Sequence, residues 1–545
     1  MSAERSFSTA VTAQAERRCV SFWSLREDVV VDTSGPSGSV VLSGRWGEVR
    51  LRGAGPAVRE ALRRMSLGPV SLANAVDEPA ADDAVRPSSP GGRTAGPAAG
   101  GPEAEILAVL HRLQHLVVRS LSLEESDQLL MSVVPIAQSA RYLPVAAGRH
   151  HPVRLSRFAF LRSEGQGFVL ESPASLYRVV MHGPEAALVV SMLGRPVTVD
   201  AMAAAVPLAV PAIAGIVAHL LATGMVVPAE QPSPVPGTGP NGEGAHGDTP
   251  LNGGAVPHFA EDQDPALLSW SAVDLLFHSR STLGRHDADF GATYPLAHRM
   301  APAPAVKPLP EGPRLPLARP SLSEVAASDP PLTTVVEERR SIRSYGSTRL
   351  TAAALGEFLY RALRIRSVYE SRGAGRYEEA FTDRPYPSGG RAYELEFYLT
   401  VRDCTDIPPG TYYYAPLEHC LVRLGDSGTD STLSERLAEA QIAAGLAAPP
   451  AVVMTITSRI HRLSWKYSGL PYALTLTHVG AVIQNLYLIG TAMGLAPCAL
   501  GSGDIELAAR ATGTDWRIEP SVGGFILGTP SELPPTPTIN HTVGA

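Results

Sequence analysis

The stretch "VVEERRSIRSYGSTRLTAAALGEFLYRAL", residues 335–363, decides how the second half of this chain is read. A helical pattern runs out into Arg339, Arg340, Ser341 and Arg343, and a second one begins after Thr351, a residue suited to N-cap it. Guanidinium forks bind phosphate through paired hydrogen bonds, so the cluster suits a phosphate or another anion. A solvated helix end whose arginines pair with Glu337 and Glu338 explains the same spacing equally well.

Working outward, residues 263–545 alternate helical and strand patterns, enough for one α+β domain. Three more polar stretches lie within it. In "RPYPSGGRAYELEFYLTV", residues 384–401, Pro387, Ser388, Gly389 and Gly390 make a turn without bulk that lets a ligand reach the backbone, or a plain loop before a strand. "LTLTHVGAVIQNLYLIGTAMGLAPCALGSGD", residues 474–504, reads as a long apolar helix breaking at Gly494 into a small-residue loop ending Ala499, Leu500 and Gly501. Gln484 and Asn485 sit on its otherwise apolar surface; buried amides need partners, so they satisfy backbone groups in a core or dimer interface, or they meet a cofactor. Finally, "SRIHRLSWKYSGLPY", residues 458–472, sets Lys466 beside Tyr467 at the end of a strand pattern. By itself the pair reads first as a core tyrosine beside a lysine that snorkels to solvent, and only second as an acid and a base.

The first half follows another plan. Strand patterns fill residues 18–55, and helical patterns at 56–66 and 105–121 flank a Pro/Ala/Gly/Ser-rich insert of disordered-loop composition near 77–102. From residue 153 the order recurs: a hairpin, a helix, and the apolar stretch 201–227, which Pro207 and Pro211 divide into two helices before a strand. This predicts two tandem winged-helix-like modules, 18–145 and 150–230, and a Pro/Gly-rich linker at 231–262. Such modules bind nucleic acid or add an extended peptide to a strand edge.

Composition narrows the choice. The formal charge of −7 with scattered arginines argues against nucleic acid and leaves the peptide. The prolines and His219 argue against a membrane span at 201–227. The four cysteines form no C-x-x-C pair, so neither a metal site nor a disulfide framework is expected. Charges interrupt the apolar residues at the N-terminus, so no secretion signal is expected and the chain is read as cytoplasmic. "GDSG" at 425–428 lacks the partners of a serine nucleophile and reads as a surface turn, and "GPNGEG" in the linker lacks the strand and helix of a dinucleotide fingerprint.

Taken in order, "ERRSIRSYG", "RPYPSGGRAYELEFYL", "PPGTYYYAPLEHCLVRL" and "GLAPCALGSGD" resemble the nitroreductase-like, FMN-dependent azoline dehydrogenases of ribosomal peptide biosynthesis, the SagB type, over roughly residues 263–545. The resemblance implies a dimeric flavin domain with a mixed or antiparallel sheet flanked by helices. It implies FMN between subunits, with Arg339, Ser341 and Arg343 on phosphate and ribityl and Ser388, Gly389, Leu500 and Gly501 near the ring or tail. Arg340, Pro387, Gly390, Gln484, Asn485 and Ala499 complete the expected cofactor set. The family carries an adjacent Lys-Tyr pair, so Lys466 and Tyr467 become the expected catalytic residues, with Trp465 and Tyr467 as an apolar wall and burial or a nearby arginine tuning the lysine. Which of the two takes the proton stays open. Some members carry arginines where this chain has Leu470 and Ala473, which leaves substrate orientation open too. The implied reaction oxidises thiazoline or oxazoline rings of a precursor peptide to azoles, alongside a cyclodehydratase partner. An NAD(P)H-dependent nitro- or quinone reductase, or a scaffold with a degenerate flavin domain, are the competing expectations.

Overall fold

The computed structural model describes residues 19–76 except 36 and 37, 101–230 except 125, 127 and 166, 257–370, 377–425 and 430–531. The insert near 77–102 and the linker at 231–262 fall almost wholly outside them, as do the "GPNGEG" stretch and most of "GDSG". The chain divides into two compact units between Asp287 and Ala288.

In the first unit, strands β1 (Cys19–Leu25), β5 (Val117–Leu123), β6 (Leu129–Pro135), β10 (Tyr177–Met181), β9 (Gly167–Glu171) and β8 (Phe160–Glu164) form one antiparallel sheet in that spatial order. A separate three-stranded wing, β2 (Val30–Asp32), β3 (Val40–Gly44) and β4 (Gly47–Leu51), and helices α1 (Pro56–Leu67) and α2 (Pro102–Arg112) belong to the first expected module. Helices α3 (Pro184–Met192), α4 (Val199–Ala203) and α5 (Val210–Ala222) belong to the second, where β7 (Val153–Leu155) pairs with β11 (Val226–Pro228). The prolines do divide the apolar stretch, since α4 and α5 are separate helices.

The two expected modules are nevertheless not independent, because β6 of the first pairs with β10 of the second. Leu121, Met131 and Val133 share one apolar core with Val179, Val189, Ile213 and Val226. The reason is local: nearly every residue of β5 and β6 is buried, so both faces and both edges of these strands need cover. The unit also extends past the expected 262/263 boundary. Buried Glu261 accepts from Ser156 Oγ at 2.7 Å and from the Arg157 amide at 3.0 Å, and Asp287 pairs with Arg26 at 3.1 Å and Arg178 at 3.2 Å.

The second unit is built on a seven-stranded antiparallel sheet in the order β12 (Arg314–Pro316), β19 (Cys420–Arg423), β18 (Gly410–Ala415), β16 (Leu395–Val401), β20 (Val452–Ser458), β22 (Ser521–Gly528) and β21 (Ala496–Leu500). Short pairs β13 (Leu350–Thr351) with β17 (Cys404–Thr405), and β14 (Ser367–Glu370) with β15 (Ala380–Asp383), lie outside it. Every residue of β16 and β20 is buried, which requires helices on both faces.

Side chains alternate between those faces. Met454, Ile456, Phe525 and Leu527 pack with Leu355, Phe358 and Leu359 of α7 (Ala352–Leu363) and with Val479, Val482 and Leu486 of α10 (Pro471–Ala492). Val453, Cys498 and Ile526 face Leu437, Ala440 and Ala444 of α8 (Asp430–Ala444). Thr351 caps α7 by accepting from the Ala354 amide at 3.1 Å. Among the described residues α10 is the one helix long and apolar enough to cross a membrane by length and composition, yet its Val479, Val482, Leu486 and Tyr487 are core of this unit.

Candidate functional site

Three segments leading out of the sheet make the site. β20 ends at Ser458, and the one-turn helix α9 (His461–Ser464) follows, so Lys466 and Tyr467 stand one turn beyond the strand rather than at its end. Buried arginines anchor this turn. Arg462 Nε donates to the Ala392 carbonyl at 2.6 Å, and Arg459 pairs with Glu396 at 2.9 Å and donates to the Pro304 carbonyl at 2.8 Å. Burial, then the charge of Arg459, pushes the Arg462 guanidinium down to about 10.

Lys466 Nζ lies 3.1 and 3.3 Å from the two oxygens of Glu379, with both side chains nearly enclosed. It stands 5.2 Å over the Phe381 ring and 5.7 Å over the Tyr294 ring. Of the two expected surroundings, burial or an arginine, the lysine has burial, and its close charged neighbour is a carboxylate; its apolar wall is Phe381 and Tyr294. Trp465 instead turns its indole N–H to the Met300 carbonyl at 2.8 Å and its ring against Tyr294 and Tyr377. Burial raises the Tyr467 phenol, partly offset by the Lys466 charge.

The second motif meets this pair. Gly390 is left-handed at φ 59°, and a Cβ there would collide with Tyr467 Oη and come within 3.5 Å of Lys466 Cε. Gly389 donates its amide to His478 Nε2 at 2.7 Å, and His478 Nδ1 lies 2.7 Å from Glu394, which is fully buried. Because Nε2 accepts from a backbone amide, the ring proton sits on Nδ1 and donates to Glu394. Ser388 Oγ accepts from the Tyr393 amide at 2.9 Å, and Pro387 is exposed.

The first motif and the third loop meet around Tyr487. Helix α6 (Leu332–Glu338) ends where the Arg339 guanidinium lies 5.2 Å over the Tyr487 ring. Ser341 Oγ is 2.7 Å from Tyr487 Oη, which accepts from the Ala499 amide at 2.8 Å, and Ile342 donates to the Pro497 carbonyl at 3.0 Å. Among the described residues Arg339, Arg340 and Arg343 make no ion pair, so their charges are not spent on Glu337 and Glu338. Leu500 and Gly501 line a cavity of about 250 Å³ with Tyr472, Arg436, Gly523 and Gly524, while Arg343 borders a separate one of about 380 Å³ with Arg349 and Arg402.

Two expectations change. Ala499 and Leu500 belong to strand β21, not to a loop, because the apolar run that leaves α10 pairs with β22. Gln484 is exposed in the single chain rather than buried, while Asn485 Nδ2 donates to the Ala362 carbonyl at the end of α7 at 2.9 Å, the backbone-satisfying role that was one of the two expected. The polar residues of α10 that organise the site are His478 and Tyr487, nine positions and about 13 Å of helix apart. The sequence reading missed them together with Glu379, Tyr294 and Glu394. A lone histidine and a tyrosine in an apolar helix were the only signal, and Glu379 carried none.

Residues 336–529 match the model of the nitroreductase family, and residues 153–236, in the first unit, match that of the cyanobactin oxidase ThcOx. The Methanocaldococcus jannaschii protein named "Putative nitroreductase MJ1384" is 30% identical over 183 residues, 34% of this chain and 82% of that protein. The chain belongs to the nitroreductase family. It is an oxidoreductase of a family that uses flavin cofactors, and the pairing of the two models supports the resemblance to SagB-type azoline dehydrogenases. Among solved structures, a nitroreductase-like protein of Ralstonia eutropha aligns at 19% identity and TM-score 0.31, covering 43% of this chain and 100% of the other. The E. coli microcin synthetase McbBCD complex with truncated pro-MccB17 bound aligns at 18% identity and TM-score 0.30, covering 49% and 95%. Scores this low add nothing to the nitroreductase assignment.

Proposed function

We propose that this nitroreductase-family chain is an FMN-dependent dehydrogenase that oxidises thiazoline or oxazoline rings in a ribosomally made precursor peptide to thiazoles or oxazoles. The observation that carries this reading is the meeting of Lys466 and Tyr467 with the glycine turn at Gly389 and Gly390. The residues present fit FMN: among the described residues, three arginines beside Ser341 have no carboxylate partner, and a Cβ at Gly501 would meet no atom beyond its chain neighbours within 4 Å. Arg339, Arg340, Ser341 and Arg343 would hold phosphate and ribityl, and Pro387, Ser388, Gly389, Leu500 and Gly501 would border the ring or tail. Bound FMN supplies a hydride acceptor.

The chain's own residues then do three things. His478 and Tyr487 fix the two halves of the site from one helix. Tyr294 and Phe381 give the pair an apolar wall that limits water. One of Lys466 and Tyr467 takes the proton lost from the ring's Cα, and Glu379 stands beside Lys466 as the counter-charge to its ammonium form. The first unit is assigned to the precursor peptide or a cyclodehydratase partner, and the active form is assigned to a cytoplasmic homodimer.

The visible spectrum of the purified protein tests the cofactor: flavin bands, with FMN identified by mass after release, are expected. Incubation with azoline-containing peptide in air tests the reaction, with a loss of two hydrogens per ring expected. A colourless protein that cannot be reconstituted with FMN defeats the reading. Rapid bleaching of the flavin by NAD(P)H with the azoline peptide untouched points instead to a nitro- or quinone reductase.

A further inference from the structure

We infer that Glu379 is a positioning residue of this site, which with Tyr294 and Phe381 clamps Lys466 Nζ inside the site and away from solvent. The inference rests on the catalytic reading of Lys466 but stands on its own geometry. A lysine on a four-carbon stem ordinarily carries its charge to water. Here Nζ is held inside, in contact with both oxygens of Glu379, with the two side chains 13% and 12% exposed. Burying such a pair costs desolvation of both ions, and apolar residues of like volume stabilise a fold as well or better. An enclosed pair beside a reactive turn is therefore better explained by what it positions than by stability.

Two separate segments build the clamp around Lys466. Glu379 arrives just ahead of β15, whose Phe381 ring lies under the ammonium. Tyr294 comes from the segment that opens the second unit. Its amide donates to the Lys466 carbonyl at 3.0 Å, and its hydroxyl donates to Glu379, which with burial raises the phenol. Tyr294 also has φ 55°, a left-handed backbone that a residue bearing a Cβ adopts only at a cost of about 1–2 kcal/mol. Strain of that kind persists where surrounding contacts over-determine it. Several of the contacts that do so here reach the residues flanking the pair: Gly291 bridges Ser468, Thr293 Oγ1 is 2.7 Å from Ser468 Oγ, and Tyr294 leans on Trp465 with ring centroids 5.5 Å apart.

The test compares the full chain with Glu379→Ala, Glu379→Gln and Glu379→Asp. In flavin-free protein, acetic anhydride labelling of Lys466, mapped by peptide mass, reads how freely Nζ reaches solvent. Labelling several-fold faster in Glu379→Ala and restored toward wild type in Glu379→Asp is expected. In FMN-loaded protein, kcat for azoline oxidation falls on the order of tenfold in Glu379→Ala, the loss of one charge-assisted contact, with KM for the peptide and the flavin spectrum unchanged. Should Glu379→Ala fail to fold, as read by its melting temperature, the isosteric Glu379→Gln carries both measurements. An unchanged labelling rate, or unchanged kcat, overturns the inference. Wild-type holoprotein that leaves azoline peptide intact while Glu379→Ala speeds labelling overturns the functional reading and leaves the clamp standing.

Discussion

At the residue scale the adjacent Lys466 and Tyr467 are tied to a glycine whose replacement both backbone and packing oppose. Lys466→Ala and Tyr467→Phe are each expected to cut azoline oxidation by about 10² or more while the flavin spectrum is kept, the usual span for losing a proton-transfer group. Full activity in both variants would remove them from the mechanism. Gly390→Ala meets two obstacles, the left-handed φ and the Tyr467 hydroxyl where its Cβ must go, and is expected to lose about 1–2 kcal/mol in urea unfolding from the backbone alone. Gly501 gives the converse test. Among the described residues its added Cβ touches nothing beyond its chain neighbours, so Gly501→Ala should keep the stability of flavin-free protein while weakening FMN binding, read by titration. Of these residues the sequence exposed the pair and the glycines, because motifs of small and charged residues are local. It could not expose Glu379, whose partner lies 87 positions away.

At the scale of elements, α10 organises the site. It presents His478 to the glycine turn and Tyr487 to the first motif and β21, so one rigid helix sets the spacing between the two halves. His478→Leu would leave the Glu394 carboxylate, wholly buried, and the Gly389 amide without their partner. Leaving a buried acceptor without its donor typically costs about 1–3 kcal/mol, and more for a charged group, and a loss of that size in chemical denaturation is expected together with weakened flavin retention. A loss below about 1 kcal/mol would show that water or another group serves Glu394. The helix itself was legible from its apolar run. Which of its polar residues mattered was not: the amides Gln484 and Asn485 stood out by residue type, whereas burial selects His478 and Tyr487.

For the whole molecule, burial governs the thiols as it does the site. It raises all four cysteines, Cys19 and Cys404 to about 11, so at pH 7.5 each is almost wholly the unreactive thiol. Ellman's reagent should therefore find little reaction in the native protein and four thiols after denaturation; fast native reaction of any of them would contradict the burial seen here. The sequence by itself determined the α+β class of the second half, the order of three helices and a strand at 183–228, the cap at Thr351 and the four motifs of the family, since each depends on periodicity or on residues adjacent in the chain. The tertiary structure alone decided that the two N-terminal modules share a sheet, that residues 263–287 belong to the first unit, that β21 is a strand, and that Lys466 answers to Glu379. Strand neighbours and ion-pair partners are chosen by which buried surfaces and charges remain to be satisfied once the chain has collapsed, and that choice has no period along the sequence.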